Sequence, residues 1–401
     1  MKKNIVMRSQ IVAELRQRMY ALNFMEITTP ILTCSSPEGA RDYLVPARNH
    51  PGKFYALPQA PQQFKQILMA SGFDRYFQIA PCFRDEDARA DRSPGEFYQL
   101  DMEMAFASQE DVFSIVEQVL PPVFEKYGIY KEASKAPFVR IPYLEAMDKY
   151  GSDKPDLRID LVLTDATEVM QGCGFAAFEG QTVKAIVVDD FTATRKQIDA
   201  ICAEVEVQTA RKGFWFRVDE NGEFVGGISK FLQDRKEEVI KALGLKNGDF
   251  VGLAAGKKLE AQKTAGVYRK LLGAASEKHM KKDCYEFCWI VDFPMYEIGE
   301  ESGELEFCHN PFSMPQGGMD ALNNQDPLEI LAYQYDLVCN GVELSSGAVR
   351  NHDPEIMIKA FELVGLGEAD VKAKFPAMYN AFCYGAPPHC LLYTSDAADD
   401  M

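Results

Sequence analysis

The chain lacks the features of a membrane or secreted protein. It contains no run of about 18 apolar residues, the length that a membrane-spanning helix needs. The ten cysteines form no Cys-x-x-Cys pair, and no histidine pattern completes a zinc site beside the closest two, Cys284 and Cys288. The N-terminal stretch is too charged for a signal peptide, owing to Arg8, Glu14, Arg16 and Arg18. We therefore expect a cytoplasmic protein with no membrane association, whose thiols are reduced and mostly buried.

Positive charge is also scarce. Lysine and arginine number 43 against 60 aspartates and glutamates, and the net charge is −17. Broad, non-specific attachment to nucleic acid needs a basic surface, so that class of function is excluded, whereas a local basic groove is not. The 401 residues allow two or three domains, and 47% hydrophobic with 26% charged residues is typical of a globular protein.

Two alternating stretches meet around a charged loop in Tyr76–Phe106. Alternation with period two places successive side chains on opposite faces of a strand, so we predict a long antiparallel hairpin with its loop at Asp85–Gly95. Charged groups of both signs on one face indicate a ligand with both signs, such as an amino acid plus a phosphate. The alternative is an ordinary solvated face. The polar positions are Gln78, Arg84, Gln99, Asp101 and Glu103.

The character of the chain changes after the turn-rich stretch Gly151–Arg158. In residues 159–282 strands alternate with helices, and no dense polar cluster occurs. We predict that 159–282 is an inserted α/β module and that residues 1–158 and 283–389 form the reactive domain. Helices are predicted at residues 1–23, 61–71, 109–127, 143–150 and 354–364, and an edge strand at Phe24–Thr33.

A second candidate cluster lies in Ala332–Arg350. Asp336 and Glu343 are seven residues apart, and Arg350 follows after seven more. Two neighbouring carboxylates suit Mg²⁺, which takes oxygen ligands and shares them with substrate phosphates. The alternative is a segment with solvated acids. His309 stands alone, and a lone histidine is more often a hydrogen-bonded structural residue than a catalytic one.

Six separated motifs resemble class II aminoacyl-tRNA synthetases, and specifically the bacterial-type aspartyl-tRNA synthetases, over residues 1–389. FRDEDARADRSPGEFYQLDMEM is similar to motif 2 and TTPIL to motif 1, which ends in Pro30. The other four are SPEGARDY, PQQFKQ, FCHNPFSMP and NGVELSSGAVR. The resemblance implies an α+β fold, an antiparallel sheet flanked by helices, interrupted at 159–282 by a GAD domain. It also implies a homodimer that joins L-aspartate to tRNA for aspartate, and in some members for asparagine, with ATP and Mg²⁺.

The same resemblance implies roles for matching residues. Arg84 would be catalytic, holding the α-phosphate of ATP, and His309 would close over the amino acid. Contacts to ATP would also come from Asp85, Glu86, Phe97 and Glu343. Mg²⁺ would be held by Asp336 and Glu343. Contacts to aspartate would come from Glu38, Gln62, Lys65, Arg84, Asp101, His309 and Arg350, with Lys65 and Arg350 on the side-chain carboxylate.

The sequence departs from the family in three places. Ser93 stands where many members have a glutamine that touches ATP. The family's N-terminal OB-fold domain and its motif 3 have no counterpart, so we expect a truncated chain of impaired activity with an exposed sheet edge. The segment Cys390–Met401 resembles a translated sequencing adapter; the alternative is a natural acidic tail. A natural tail would favour a non-catalytic paralogue that binds an amino acid or adenylate.

Overall fold

Strands and helices are distributed along the whole chain. The computed structural model describes residues 2–35, 41–85, 95–299 and 302–394. Its α-helices are α1 Lys2–Ala21, α2 Gln62–Ala70, α3 Gln109–Tyr127, α4 Tyr143–Tyr150, α5 Thr167–Met170, α6 Arg195–Thr209, α7 Lys236–Leu243, α8 Lys258–Ala275, α9 Gly318–Asn324, α10 Pro354–Leu363, α11 Glu368–Lys374 and α12 Pro376–Cys383.

The strands are β1 Met25–Glu26, β2 Leu44–Pro46, β3 Phe54–Ala56, β4 Arg75–Phe83, β5 Glu96–Ala105, β6 Glu132–Ala133, β7 Val139–Pro142, β8 Leu163–Asp165, β9 Thr182–Val188, β10 Phe214–Val218, β11 Phe224–Val225, β12 Phe250–Gly256, β13 Cys284–Tyr285, β14 Phe287–Pro294, β15 Tyr296–Ile298, β16 Leu305–Phe307, β17 Leu331–Cys339, β18 Val342–Val349 and β19 His389–Thr394. The chain divides into two compact units: 1–140 with 287–338 and 343–401, and 141–286 with 339–342.

An eight-stranded sheet organises the first unit, in the order β1-β4-β5-β19-β18-β17-β14-β7. The short β1 runs parallel to β4, whereas β4 with β5, β5 with β19, and β19 with β18 are antiparallel. The turn between β17 and β18 uses Asn340 and Gly341, both with positive φ, as tight hairpins require. The predicted α+β class with a mainly antiparallel sheet is confirmed.

The predicted hairpin is formed by β4 and β5. Gln78 lies opposite Asp101 and Tyr76 opposite Glu103, so these side chains share one face. Asp101 and Glu103 are completely buried and Gln78 is 4% exposed. The interpretation of this region as an ordinary solvated face is therefore wrong. Its polar groups lie inside the protein, where each needs a partner or a ligand.

A strand near the C-terminus fills the centre of this sheet. We expected an exposed edge there, and for the described residues that expectation is wrong. β19 pairs along one side with β5 and along the other with β18. Its Cys390, Leu391 and Leu392 are almost completely buried, and a short apolar strand can satisfy the backbone groups of both neighbours. The adapter origin of 390–401 stays a prediction.

Helix α3 covers the opposite face of the sheet. It begins at a capping box. The side chain of Ser108 accepts a hydrogen bond from the backbone N–H of Asp111, and the side chain of Asp111 accepts one from the backbone N–H of Ser108. Phe113 stacks on Trp289 with ring centroids 4.1 Å apart. The buried Glu117 accepts a hydrogen bond from Trp289 Nε1 over 3.1 Å. The helix thus supplies an aromatic support behind the strands.

The second unit is built on a five-stranded antiparallel sheet in the order β11-β10-β12-β9-β8. Helices α6 and α8 pack together, and the completely buried Tyr268 and Phe250 belong to the core beside them. Arg269 is buried with them and donates to the carbonyl oxygens of Leu161, Asp156 and Ile159. The stretch 159–282 lies within this unit, and none of the predicted site residues does.

Two further observations concern the whole described chain. None of its helices combines the length and the apolar character that a membrane span needs. None of the ten cysteines, all of which lie in the described chain, forms a disulfide: five are buried, three are partly buried, and Cys34 and Cys383 are exposed, so the predicted burial holds for half of them.

Candidate functional site

A buried ion pair marks the polar face of the central sheet. Helix α2 starts after Pro61, whose carbonyl accepts from the Lys65 N–H over 3.0 Å. The helical spacing directs Gln62, Lys65 and Gln66 to one side of α2, and all three are buried. Lys65 Nζ donates to Asp101 Oδ1 over 2.6 Å, with neither side chain exposed. The pair ties the helix to β5.

Arg350 follows β18 and lies on the same polar cluster. Its side chain is completely buried, and its Nη2 donates to Gln62 Oε1 over 2.8 Å. Within the described residues, Nε and Nη1 have no hydrogen-bond partner. Burial lowers the pKa of Arg350, and the nearby carboxylate of Glu103 opposes that shift. These guanidinium nitrogens carry N–H donors that suit a carboxylate, with which arginine forms charge-assisted hydrogen bonds.

Glu103 completes the cluster in an unusual state. Both carboxyl oxygens are buried without a hydrogen-bond partner among the described residues. Burial raises the pKa of Glu103 to about 8, although the positive charges of Lys65 and Arg350 lower it. The raised pKa favours the uncharged form of Glu103 beside Lys65 and Arg350, of which Lys65 is paired with Asp101. The surplus of positive charge fits a ligand that brings an extra carboxylate.

Arg84 and Phe97 form a second part of the site at the base of the hairpin loop. The Arg84 guanidinium lies over the Phe97 ring, with its carbon 5.0 Å from the centroid. The Arg84 N–H donates to the Gly95 carbonyl over 2.9 Å, and the Asp85 N–H to that of Arg41 over 2.9 Å. A cation beside a flat aromatic ring is suited to a nucleotide, because the ring stacks on a base and the cation attracts phosphate.

Asp336 and Glu343 belong to the neighbouring strands β17 and β18. Asp336 is 6% exposed, and Glu343 is half-buried. Burial raises the pKa of Tyr393, and the charge of Asp336 raises it further, so Asp336 lies near the polar face. Across the described chain, no three His, Cys, Asp or Glu side chains gather as a metal cage. A pair of acids fits Mg²⁺, which commonly takes its other ligands from water and phosphate.

Three predicted residues have roles that the described contacts do not test. His309 is exposed, and its ring lies edge-on to Phe293 with centroids 4.9 Å apart. Glu38 and Glu86 lie outside the described residues. Their roles stay predictions.

Two aromatic or imidazole side chains of β19 were missed by sequence reasoning. The Tyr393 ring lies 5.0 Å from Lys65 Nζ, a cation–π distance. His389 is completely buried, and its Nε2 is 3.9 Å from Glu103. Tyr393 belongs to the segment 390–401 that was set aside as a tail on sequence grounds, and His389 immediately precedes that segment. A short run of apolar residues, Cys390–Tyr393, which is consistent with a buried strand, was the signal that could have found them.

The sequence profile described as tRNA synthetases class II (D, K and N) matches residues 1–391, and the chain belongs to this family. It is 56% identical to the aspartate–tRNA ligase of Streptomyces coelicolor over 97% of this chain and 66% of that protein. It is 55% identical to the aspartate–tRNA(Asp/Asn) ligases of Zymomonas mobilis and Rickettsia bellii, over 96% of this chain and 66% of each. The chain thus spans about 66% of the length of these curated relatives.

Proposed function

We propose that this chain carries the catalytic domain of an aspartate–tRNA ligase. The supporting observation is the completely buried Arg350, which shares one cluster with the Lys65–Asp101 pair and has guanidinium nitrogens available for a carboxylate. Aspartate has one ammonium and two carboxylates. Asp101 and Gln62 suit the ammonium, whereas Lys65 and Arg350 suit the side-chain carboxylate.

Rejection of asparagine follows from the same charges. A neutral amide would leave the buried cations without an anion, and an unpaired buried charge is costly. Each charge-assisted hydrogen bond contributes about 1.5–3 kcal/mol, so loss of two bonds lowers affinity by roughly a hundredfold or more.

The proposed first reaction is formation of aspartyl-adenylate. An oxygen of the aspartate α-carboxylate attacks the α-phosphorus of ATP, and pyrophosphate leaves. No general base is needed, because the attacking carboxylate is already ionised. Arg84 would neutralise charge on the α-phosphate while Phe97 stacks on adenine. Asp336 and Glu343 would hold Mg²⁺, which supplies further charge neutralisation on the phosphates.

The second proposed reaction transfers the aspartyl group to the terminal ribose of tRNA, and AMP leaves. The relatives named for aspartate alone and those named for Asp/Asn match equally well. We therefore propose the aspartate tRNA as substrate. A charging assay with the asparagine tRNA would decide whether the tRNA specificity extends to it. A cytoplasmic location and a GAD domain at 159–282 are parts of the same proposal.

A homodimer through α1 and the segment after it is also proposed. This region exposes large apolar side chains: Ile5, Val6, Met25, Ile31 and Leu32. An apolar patch on a soluble protein marks a contact surface. Sedimentation of the chain at increasing concentrations tests it, with a persistent monomer as the contrary result.

The decisive experiment compares two ligands that differ in one group. Calorimetry with L-aspartate and L-asparagine should show binding of aspartate and at least roughly hundredfold weaker binding of asparagine. ATP–pyrophosphate exchange that depends on aspartate then tests activation. Equal affinity for the two amino acids would rule out the proposed specificity. In a chain extended to the full length of the curated relatives, binding without any exchange would favour a non-catalytic paralogue instead.

A further inference from the structure

Glu103 differs from other buried acids of the first unit in what surrounds it. Glu117 is a useful contrast, because its Oε1 accepts from the Phe138 N–H over 2.9 Å, Arg140 Nη1 over 3.0 Å and Trp289 Nε1 over 3.1 Å. Glu103 has no such donor on either oxygen among the described residues. A carboxylate without donors loses its hydration and gains nothing in return, so the uncharged acid is the form that this position favours.

The position of Glu103 links it to the aspartate pocket. It lies two residues from Asp101 on the same face of β5, so it stands beside the carboxylate that holds Lys65. Its interactions with Lys65 and Arg350 are electrostatic, and neither cation donates a hydrogen bond to it in the described structure. Glu103 therefore interacts with both of the cations that we assign to the substrate carboxylate.

We propose that Glu103 is a positioning residue that sets the charge of the pocket, staying uncharged while aspartate binds and weakening aspartate binding when it ionises. This inference rests on the proposed function. An ionised Glu103 would compete with the substrate carboxylate for Lys65 and Arg350, because two anions would then face the same two cations beside Asp101. Aspartate binding would in turn favour the protonated acid, so at alkaline pH binding takes up a proton.

Four of the groups around Glu103 do not account for such a change. The titratable or charged groups that interact with it electrostatically, from each packed element, are Lys65, Tyr76, Asp101, Tyr335, Arg350, His389 and Cys390. Burial raises the pKa of Tyr76 and Tyr335 well above 10 and that of Cys390 to about 12. Burial lowers the pKa of His389 to about 4. Between pH 6 and 9 none of these four changes its charge.

Calorimetry with L-aspartate from pH 6 to pH 10 tests the inference on the full chain. For the wild-type protein we expect the dissociation constant to rise roughly tenfold per pH unit above about pH 8, with proton uptake. Glu103→Gln should remove this dependence, whereas Glu117→Gln, the matched loss of a hydrogen-bonded acid, should retain it. The aspartate ammonium titrates equally in all three proteins, so the difference between them isolates Glu103.

Infrared spectroscopy supplies a readout that does not need aspartate. A carbonyl band of a protonated carboxyl should be present at pH 6, disappear above about pH 8 and be missing from Glu103→Gln. The inference is overturned if this band is missing at pH 6, or if Glu103→Gln keeps the wild-type pH profile. Absence of aspartate binding by the wild-type chain at pH 7 would instead refute the proposed function, and the band would still decide the state of Glu103.

Discussion

Lys65 Nζ lies 2.6 Å from Asp101 Oδ1, and both side chains are completely buried. Removing one partner leaves the other charge in the protein interior without compensation. We expect Lys65→Met or Asp101→Leu to lower the free energy of unfolding by about 3–5 kcal/mol each. The double variant should lose less than the sum of the two. Urea unfolding of the four proteins measures this coupling, and simple additivity would contradict it.

Gln62→Glu tests the availability of Arg350. The new carboxylate would accept from Arg350 Nη2, where the amide oxygen now accepts over 2.8 Å. It would then occupy the guanidinium that we assign to the substrate. We expect aspartate affinity to fall by roughly tenfold to a hundredfold, equivalent to about 1.5–3 kcal/mol. Calorimetry checks this, and Gln63→Glu, on the same helix but only half-buried, is the control that should bind normally.

Phe97→Ala tests the nucleotide site. Removing an aromatic platform from under a base costs about 1–3 kcal/mol, so the KM for ATP in the exchange reaction should rise roughly fivefold to 150-fold. Tyr98→Ala is the matched control, because Tyr98 is the neighbouring aromatic residue on the opposite face of β5 and is 38% exposed. An equal effect of the two substitutions would contradict the assignment of Phe97.

His389 should make the protein less stable in acid. Burial lowers its pKa to about 4, whereas an unfolded chain has a histidine pKa of about 6.5. Between these two pKa values the unfolded state binds a proton at His389 and the folded state does not, so the free energy of unfolding falls as the pH falls. The contribution from His389 is about 3 kcal/mol. Denaturant unfolding from pH 7 to pH 4 should show a smaller loss for His389→Gln. His50→Gln, at an exposed position, should follow the wild type.

Substitution of Gly227 is predicted to destabilise the second unit strongly. It has φ +46°, and a Cβ there would lie 1.8 Å from the Trp215 carbonyl oxygen. We expect Gly227→Ala to cost more than about 3 kcal/mol in thermal or urea unfolding. Gly244 has φ +64° with no atom within 4 Å of its Cβ position, so Gly244→Ala should cost only about 1–2 kcal/mol. If the two variants lost similar unfolding free energy, the positive φ alone, and not the contact with Trp215, would determine the cost.

Local patterns were sufficient for much of the fold. The period-two stretches predicted β4 and β5, and the helices predicted at 109–127 and 143–150 are observed at those bounds. The strand predicted at Phe24–Thr33 is shorter, since only Met25–Glu26 pairs with β4 before the segment reaches Pro30, which has no N–H.

The site could be predicted only in its residue types. Asp101 and Lys65 are 36 residues apart, and no spacing rule says that an α2 side chain reaches a β5 side chain. The buried state of Glu103 depends on β19, which the sequence places nearly three hundred residues later. The alternating sequence pattern predicts which face of β5 carries Glu103. Its protonation state, however, follows from desolvation, which depends on how the folded chain packs.

The central place of β19 has a consequence for biosynthesis. The Leu100 N–H donates to Thr394 Oγ1, across 294 residues of chain. A ribosome adds about 5–20 residues per second. Roughly a quarter of a minute to a minute therefore passes between the synthesis of the β4–β5 hairpin and the synthesis of β19. During that interval one side of β5 offers unsatisfied backbone groups to any nascent strand nearby. A chain of this sequence that is made on ribosomes should therefore depend on chaperones until β19 has been synthesised.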